Sequence, residues 1–123
     1  MYELKVLTHF AAAHQLKMVS KKCENLHGHN WKVELCIKSD KLDKAGVIMD
    51  FGIIKKYLSE IINKLDHTFL NETDCFKNNI PSSENIAKYI AEECQKKINN
   101  NSVQVYYVNV WESDDSCAKY ILN

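Results

Sequence analysis

Arginine is absent from this chain of 123 residues; all sixteen cationic side chains are lysines, balanced by sixteen Asp and Glu. A formal net charge of zero gives no field to gather nucleic acid or an anionic membrane, so neither is an expected partner. The lack of guanidinium also removes the bidentate clamp that suits phosphate and carboxylate best. Proline occurs once and glycine three times against twelve aromatics, which excludes a mainly disordered chain. No apolar run approaches the ~20 residues of a membrane span. The start, Met1-Tyr2-Glu3-Leu4-Lys5, alternates like a strand, and no signal peptide is expected. No cysteine pair forms C-x-x-C: Cys23, Cys36, Cys75, Cys94 and Cys117 are odd in number and irregularly spaced. That argues against a thiolate zinc finger and a disulfide framework. The expectation is one cytoplasmic domain over residues 1–123, with reduced thiols.

What is present is a sharp change of hydrophobic period along the chain. Tyr2, Leu4, Val6, Thr8 and Phe10 share one parity, which predicts a strand over 2–14. Residues 15–26 are polar and lysine-rich, a loop, and a second strand runs from His27 to about Ile37. Asp50 is placed to cap a helix over 51–65, whose stripe is Phe51, Ile54, Leu58, Ile61, Ile62 and Leu65. An irregular segment, 66–82, holds the single proline. Ser82 then caps a second helix, 83–99, with Ile86, Ile90, Cys94 and Ile98 on one stripe. Strands near 102–112 and 116–122, joined by Ser113-Asp114-Asp115, complete a β-β-α-α-β-β order. This reads as α+β, an antiparallel four-stranded sheet with two helices on one face. Both parities of 103–111 are apolar, so the uncovered face is expected to meet another subunit.

Chemistry-bearing residues gather at the predicted strand ends. His27 and His29 lie two apart on a strand and point to one side, so both imidazoles can reach one ion. Gly28 between them lets backbone come close, and His14 lies near if the first two strands form a hairpin. Three imidazoles with no fourth side chain suit a catalytic zinc that keeps one position open. Surface or core histidines are the alternative. Cys23 stands beside Lys21 and Lys22, where nearby ammonium groups favour the thiolate; an inert loop thiol is the plainer reading. Asp66-His67 can form an acid/base unit, or His67 can simply face a helix C-terminus. Sequence neighbours do not face each other on a strand, so the pair needs an irregular backbone. Glu112, between Trp111 and a turn, is either a carboxylate that accepts two N–H bonds from a heterocycle or a solvated strand end.

Taken in order, these residues form a pattern: Phe10-Ala11-Ala12-Ala13-His14, Cys23-x3-His27-Gly28-His29-Asn30, Val47-Ile48-Met49-Asp50-Phe51, Leu65-Asp66-His67 with Leu70-Asn71, Pro81-Ser82-Ser83-Glu84-Asn85-Ile86-Ala87, and Trp111-Glu112. Over essentially its full length the chain resembles the 6-pyruvoyltetrahydropterin synthase / 6-carboxytetrahydropterin synthase family. The resemblance implies the tunnelling fold, in which sheets oligomerise into a β-barrel, and a homohexamer of two stacked trimers with active sites between subunits. By it His14, His27 and His29 match zinc ligands, Cys23 the catalytic thiol, and Asp66 with His67 the rest of the proton-transfer set. Glu112 matches the carboxylate that anchors the pterin's amino and N3 edge. Three residues between Cys23 and His27 look like the carboxytetrahydropterin synthases of queuosine-precursor synthesis. Lys17, Lys21, Lys22 or the Ser82–Ser83 helix start would have to hold a triphosphate. Two other readings are a pyruvoyltetrahydropterin synthase and a non-catalytic zinc-stabilised pterin-binding oligomer. Of Cys23, Asp66, His67 and Glu112, the second needs only Glu112.

Overall fold

The first two strands are set by alternation alone. The computed structural model describes residues 1–16 and 26–123, and of His27 the backbone only. Cys23, Lys17, Lys21 and Lys22 lie outside the described residues. β1 (Tyr2–His14) and β2 (His27–Ser39) pair antiparallel along their whole length, from Tyr2 opposite Ser39 to His14 opposite His27. Val6, Phe10, Ala12 and His14 from β1 are buried, as are Trp31, Val33, Leu35 and Ile37 from β2. One face of the hairpin therefore becomes core, and both of its central aromatics stack there, Phe10 on Trp31 with ring centres 5.8 Å apart.

Helix α1 (Phe51–Ile62) begins where Asp50 accepts a hydrogen bond from the Gly52 N–H at 2.6 Å. The carboxylate can come this close because Gly52 has no Cβ; one placed there would stand 2.9 Å from Asp50 Oδ1. Ile54, Leu58, Ile61 and Ile62 are its buried face. The helix stops three residues before the predicted end at 65. Instead, Leu65 and Asp66 both donate to the Ile62 carbonyl at 2.9 Å, a tightened turn that buries Leu65.

That turn throws the chain onto β1. Ala11 N–H donates to Asp66 Oδ1 at 2.9 Å, and His67 N–H donates to the Ala11 carbonyl. His67 takes φ +57°, a left-handed conformation that a histidine adopts at a cost. Thr68–Phe69, here β3, then pairs parallel with Ala12 and Ala13. The sheet is accordingly mixed and five-stranded, in the order β3-β1-β2-β4-β5, where four antiparallel strands were expected. Two residues are too few to show a period, so this strand leaves no hydrophobic signature.

Two short turns, Leu70–Glu72 and Asp74–Phe76, lead to α2 (Ser83–Lys97). Ser82 caps α2 by accepting from Asn85 N–H at 3.1 Å, and Ile86, Ala87, Ile90, Ala91 and Cys94 are buried. Both helices and the inner faces of β1, β2 and β4 (Gln104–Ser113) share one core; β5 (Ser116–Ile121) forms the far edge. No described helix is long and apolar enough to cross a membrane.

β4 corrects one expectation. Its register on β2 slips between Cys36 and Ile37, which face Tyr107 and Val105 and leave Tyr106 as an extra residue. The slip reverses parity, so Val103, Val105, Val108 and Val110 all reach the core. The double apolar pattern thus comes partly from a bulge, which gathers the valines on the inner face and leaves the aromatics outside. The outer face carries aromatics under lysines: Lys119 Nζ lies 4.0 Å from the Tyr107 ring centre, Lys38 4.4 Å from Tyr106 and Lys32 4.9 Å from Trp111.

The Ala11 N–H holds the Asp66 carboxyl below the ordinary carboxylate range. A lowered folded value stabilises the fold above the unfolded value of about 3.9, and the effect is lost as pH falls through the lower one. Asp66→Asn is therefore expected to unfold at lower urea than the parent at neutral pH, with the gap closing in strong acid. Urea midpoints across that range test this; a gap independent of pH would contradict it.

Candidate active site

Three strands each bring one polar side chain to the same end of the core face. His14 is the last residue of β1, His29 sits near the start of β2, and Glu112 lies in β4 where the register on β5 slips between Trp111 and Ser113. Glu112 Oε1 is 2.8 Å from His14 Nε2 and 3.0 Å from His29 Nε2. The two imidazoles stand nearly perpendicular, with ring centres 5.2 Å apart. Trp31 underlies both, edge-on at 4.9 Å from His14 and 5.3 Å from His29, and its indole N–H donates to the Ala12 carbonyl. His14 is buried at 2% exposure, whereas the Glu112 and His29 side chains remain 34% and 23% exposed. The cluster is thus a floor with an open side.

The tautomer of His14 follows from its partners. Its Nδ1 is 2.8 Å from the Pro81 carbonyl oxygen, which can only accept, so Nδ1 carries the proton. In a neutral ring Nε2 is then a lone pair, yet it faces a carboxylate oxygen at 2.8 Å. Two acceptors approach this closely only with something between them: a proton, carried by either partner, or a cation. The ligand atoms of His14, His29 and Glu112 all lie within 4.8 Å of one another, which is compatible with one metal ion. Imidazole nitrogens with carboxylate oxygen suit zinc, and the Pro81 carbonyl is the outer partner that a ligating imidazole usually has.

Of the residues singled out in the sequence, His14 and His29 meet as expected. The His27 backbone lies opposite His14 in the ladder. Among the described residues nothing lies within 4 Å of where a Gly28 Cβ would stand, and its backbone pairs with Ala13. Asp66 and His67 are not part of the cluster. They form their own pair, Asp66 Oδ2 to His67 Nδ1 at 3.0 Å, hung on Ala11, three residues before His14 along β1. The left-handed backbone at His67 is the irregularity that lets these neighbours face each other. The His67 side chain is 82% exposed. Burial pushes the Cys36 thiol up to about 11 and Cys94 up to about 12, so neither supplies thiolate at neutral pH.

Sequence reasoning missed the company Glu112 keeps. Its signal was parity: Val108 and Val110 point to the core, and Glu112 continues their row toward the histidines. The role of the Pro81 carbonyl carried no signal beyond its place in a motif, and that of Trp31 none beyond standing two residues after His29 on one strand.

Comparison with known proteins places the chain in one family. The family model described as 6-pyruvoyl tetrahydropterin synthase matches residues 3–122. A Synechocystis protein named 6-carboxy-5,6,7,8-tetrahydropterin synthase is 34% identical over 116 residues, covering 90% of this chain and 86% of its own. A dihydroneopterin monophosphate aldolase of Pyrococcus furiosus is 33% identical over 106 residues, 86% of this chain and 85% of that one. Among solved structures, 6-pyruvoyl tetrahydropterin synthase of Caenorhabditis elegans superposes with a TM-score of 0.87 at 26% identity, covering 99% of this chain and 96% of that chain. Match, order and geometry agree, and the chain belongs to the 6-pyruvoyl tetrahydropterin synthase family.

Proposed function

We propose that the chain is a zinc-dependent 6-carboxytetrahydropterin synthase, acting in the synthesis of queuosine precursors. It would convert 7,8-dihydroneopterin triphosphate and water to 6-carboxy-5,6,7,8-tetrahydropterin, acetaldehyde and triphosphate. The observation that carries the reading is the lone pair of His14 Nε2 turned toward a carboxylate oxygen, a geometry that a cation relieves. The Synechocystis relative's name and the short Cys23–His27 spacing favour the carboxy product.

His14, His27 and His29 would hold the zinc, with Glu112 Oε1 in reach of two of them. Bound there, zinc supplies Lewis-acid polarisation of the substrate's side-chain hydroxyls. Pro81 fixes the His14 tautomer, and Trp31 walls both described imidazoles from the core. With Oε1 turned to the imidazoles, Glu112 has Oε2 to accept from the pterin's N–H edge. Cys23, next to Lys21 and Lys22, is the proposed thiolate that moves a proton on the substrate's side-chain carbons. His67 is the second proton carrier, oriented by Asp66 through the 3.0 Å contact at its Nδ1, which leaves Nε2 for the substrate. An imidazole this exposed needs a neighbour to exclude water, which supports a homo-oligomer, proposed as the hexamer, with sites between subunits. Lysines 17, 21 and 22 are the proposed contacts to triphosphate.

The test is zinc-loaded protein with dihydroneopterin triphosphate, products read by mass and by an acetaldehyde assay. Carboxytetrahydropterin with an equal amount of acetaldehyde is expected. Pyruvoyltetrahydropterin without acetaldehyde would transfer the assignment to the activity named for the Caenorhabditis structure. Cleavage of the side chain with the phosphate still attached would transfer it to aldolase chemistry. Cys23→Ala is expected to keep its zinc and lose ~10²–10⁴-fold in kcat; full turnover would remove the thiol from the mechanism.

A further inference from the structure

Asn71 follows β3 and belongs to no part of the proposed chemistry. β3 pairs with β1 at Ala12–Thr68 and Ala13–Phe69, and the chain then turns away through Leu70–Glu72. The ladder on this edge of β1 should end there. Instead, the Asn71 side chain continues it. Its Oδ1 accepts from the Gln15 N–H at 2.9 Å, and its Nδ2 donates to the Gln15 carbonyl at 2.8 Å. One carboxamide thus engages both main-chain groups of one residue, as the opposite residue of an antiparallel hydrogen-bonded pair would. Only one orientation of the amide satisfies both contacts.

The turn that presents Asn71 is itself fixed. Leu70 is fully buried, and its carbonyl receives both the Thr73 hydroxyl at 2.7 Å and the Thr73 N–H at 3.2 Å. The clamped N–H belongs to the peptide that joins His14 to Gln15. Holding that peptide plane fixes ψ of His14, the residue whose ring must meet Pro81 on one side and Glu112 on the other. We propose that Asn71 is a positioning residue: its carboxamide clamps Gln15 and so keeps His14 Nε2 aimed into the metal site. The proposal rests on the metal reading of His14. Both clamp bonds are exposed to water, so their loss should cost little global stability while loosening the ligand.

Asn71→Ala removes the clamp. Asn71→Asp keeps shape and the acceptor for Gln15 N–H but sets an oxygen against the Gln15 carbonyl, so a role in shape alone would leave it neutral. Both variants are expected to unfold near the parent's urea midpoint and to bind zinc ~10–100-fold more weakly, the range for an outer partner of a ligand. Zinc is titrated alone, so failure of the pterin reaction would leave this result readable. Amide exchange at Gln15, followed without metal, should be slow in the parent and fast in Asn71→Ala. Fast exchange with unchanged zinc affinity would overturn the proposal, as would a neutral Asn71→Asp. Loss of the fold in both variants would overturn it too, by making Asn71 structural. A parent that binds no zinc would refute the metal reading itself, and the positioning role with it.

Discussion

His14 is held at both ring nitrogens by groups that accept, a carbonyl at Nδ1 and a carboxylate at Nε2, and much of the site's architecture serves that arrangement. A buried imidazole so placed has one proton for two acceptors, and the deficit must be met by a further proton or a cation. Burial at 2% exposure keeps water from meeting it. The three elements involved are far apart in sequence: the end of β1, the approach to α2 and the end of β4. Their convergence requires the β1–β2–β4 order of the sheet and α2 seated against it. The chemistry is therefore a consequence of the packing of the whole chain, not of a local motif.

β1 acts as a rail for the proposed reaction. Ala11 carries the Asp66–His67 pair, its N–H on the Asp66 carboxylate and its carbonyl on the His67 N–H, Ala12 receives the Trp31 indole, His14 supplies a candidate ligand and Gln15 takes the Asn71 carboxamide. An extended strand advances about 3.3 Å per residue, so the dyad's anchor and the candidate ligand are spaced about 10 Å apart by a rigid element. Precision of this order matters to proton transfer, where a displacement of one ångström is costly. The left-handed backbone of His67 is the local strain that this mounting sustains.

The two long strands and both helices were legible because amphipathic periods over ten or more residues override local detail. Asp50 and Ser82 cap as their positions suggest. Helix ends were overrun by two or three residues, since Leu65 and Ile98 continue an apolar stripe after the helical hydrogen bonds have ended. β3 was invisible, being two residues long and paired with Ala12 and Ala13, on a strand far away in sequence. The Tyr106 bulge was misread because a one-residue slip reverses parity, and the valines on either side of it then look like two faces. Within the site, the histidine pairing follows from strand alternation. The Glu112 contact needs β4 beside β2, which is a fact of topology that spacing along the chain does not contain.

The most direct test of the account is the zinc-edge X-ray absorption spectrum of the zinc-loaded protein. It predicts about one zinc per chain, with nitrogen and oxygen neighbours at about 2.0–2.2 Å, the imidazole share arising from the histidines and no sulfur. A sulfur neighbour at about 2.3 Å would make Cys23 a ligand in place of a free thiolate, and failure to take up zinc would leave the charge at His14 to a proton. Either result would contradict the central claim.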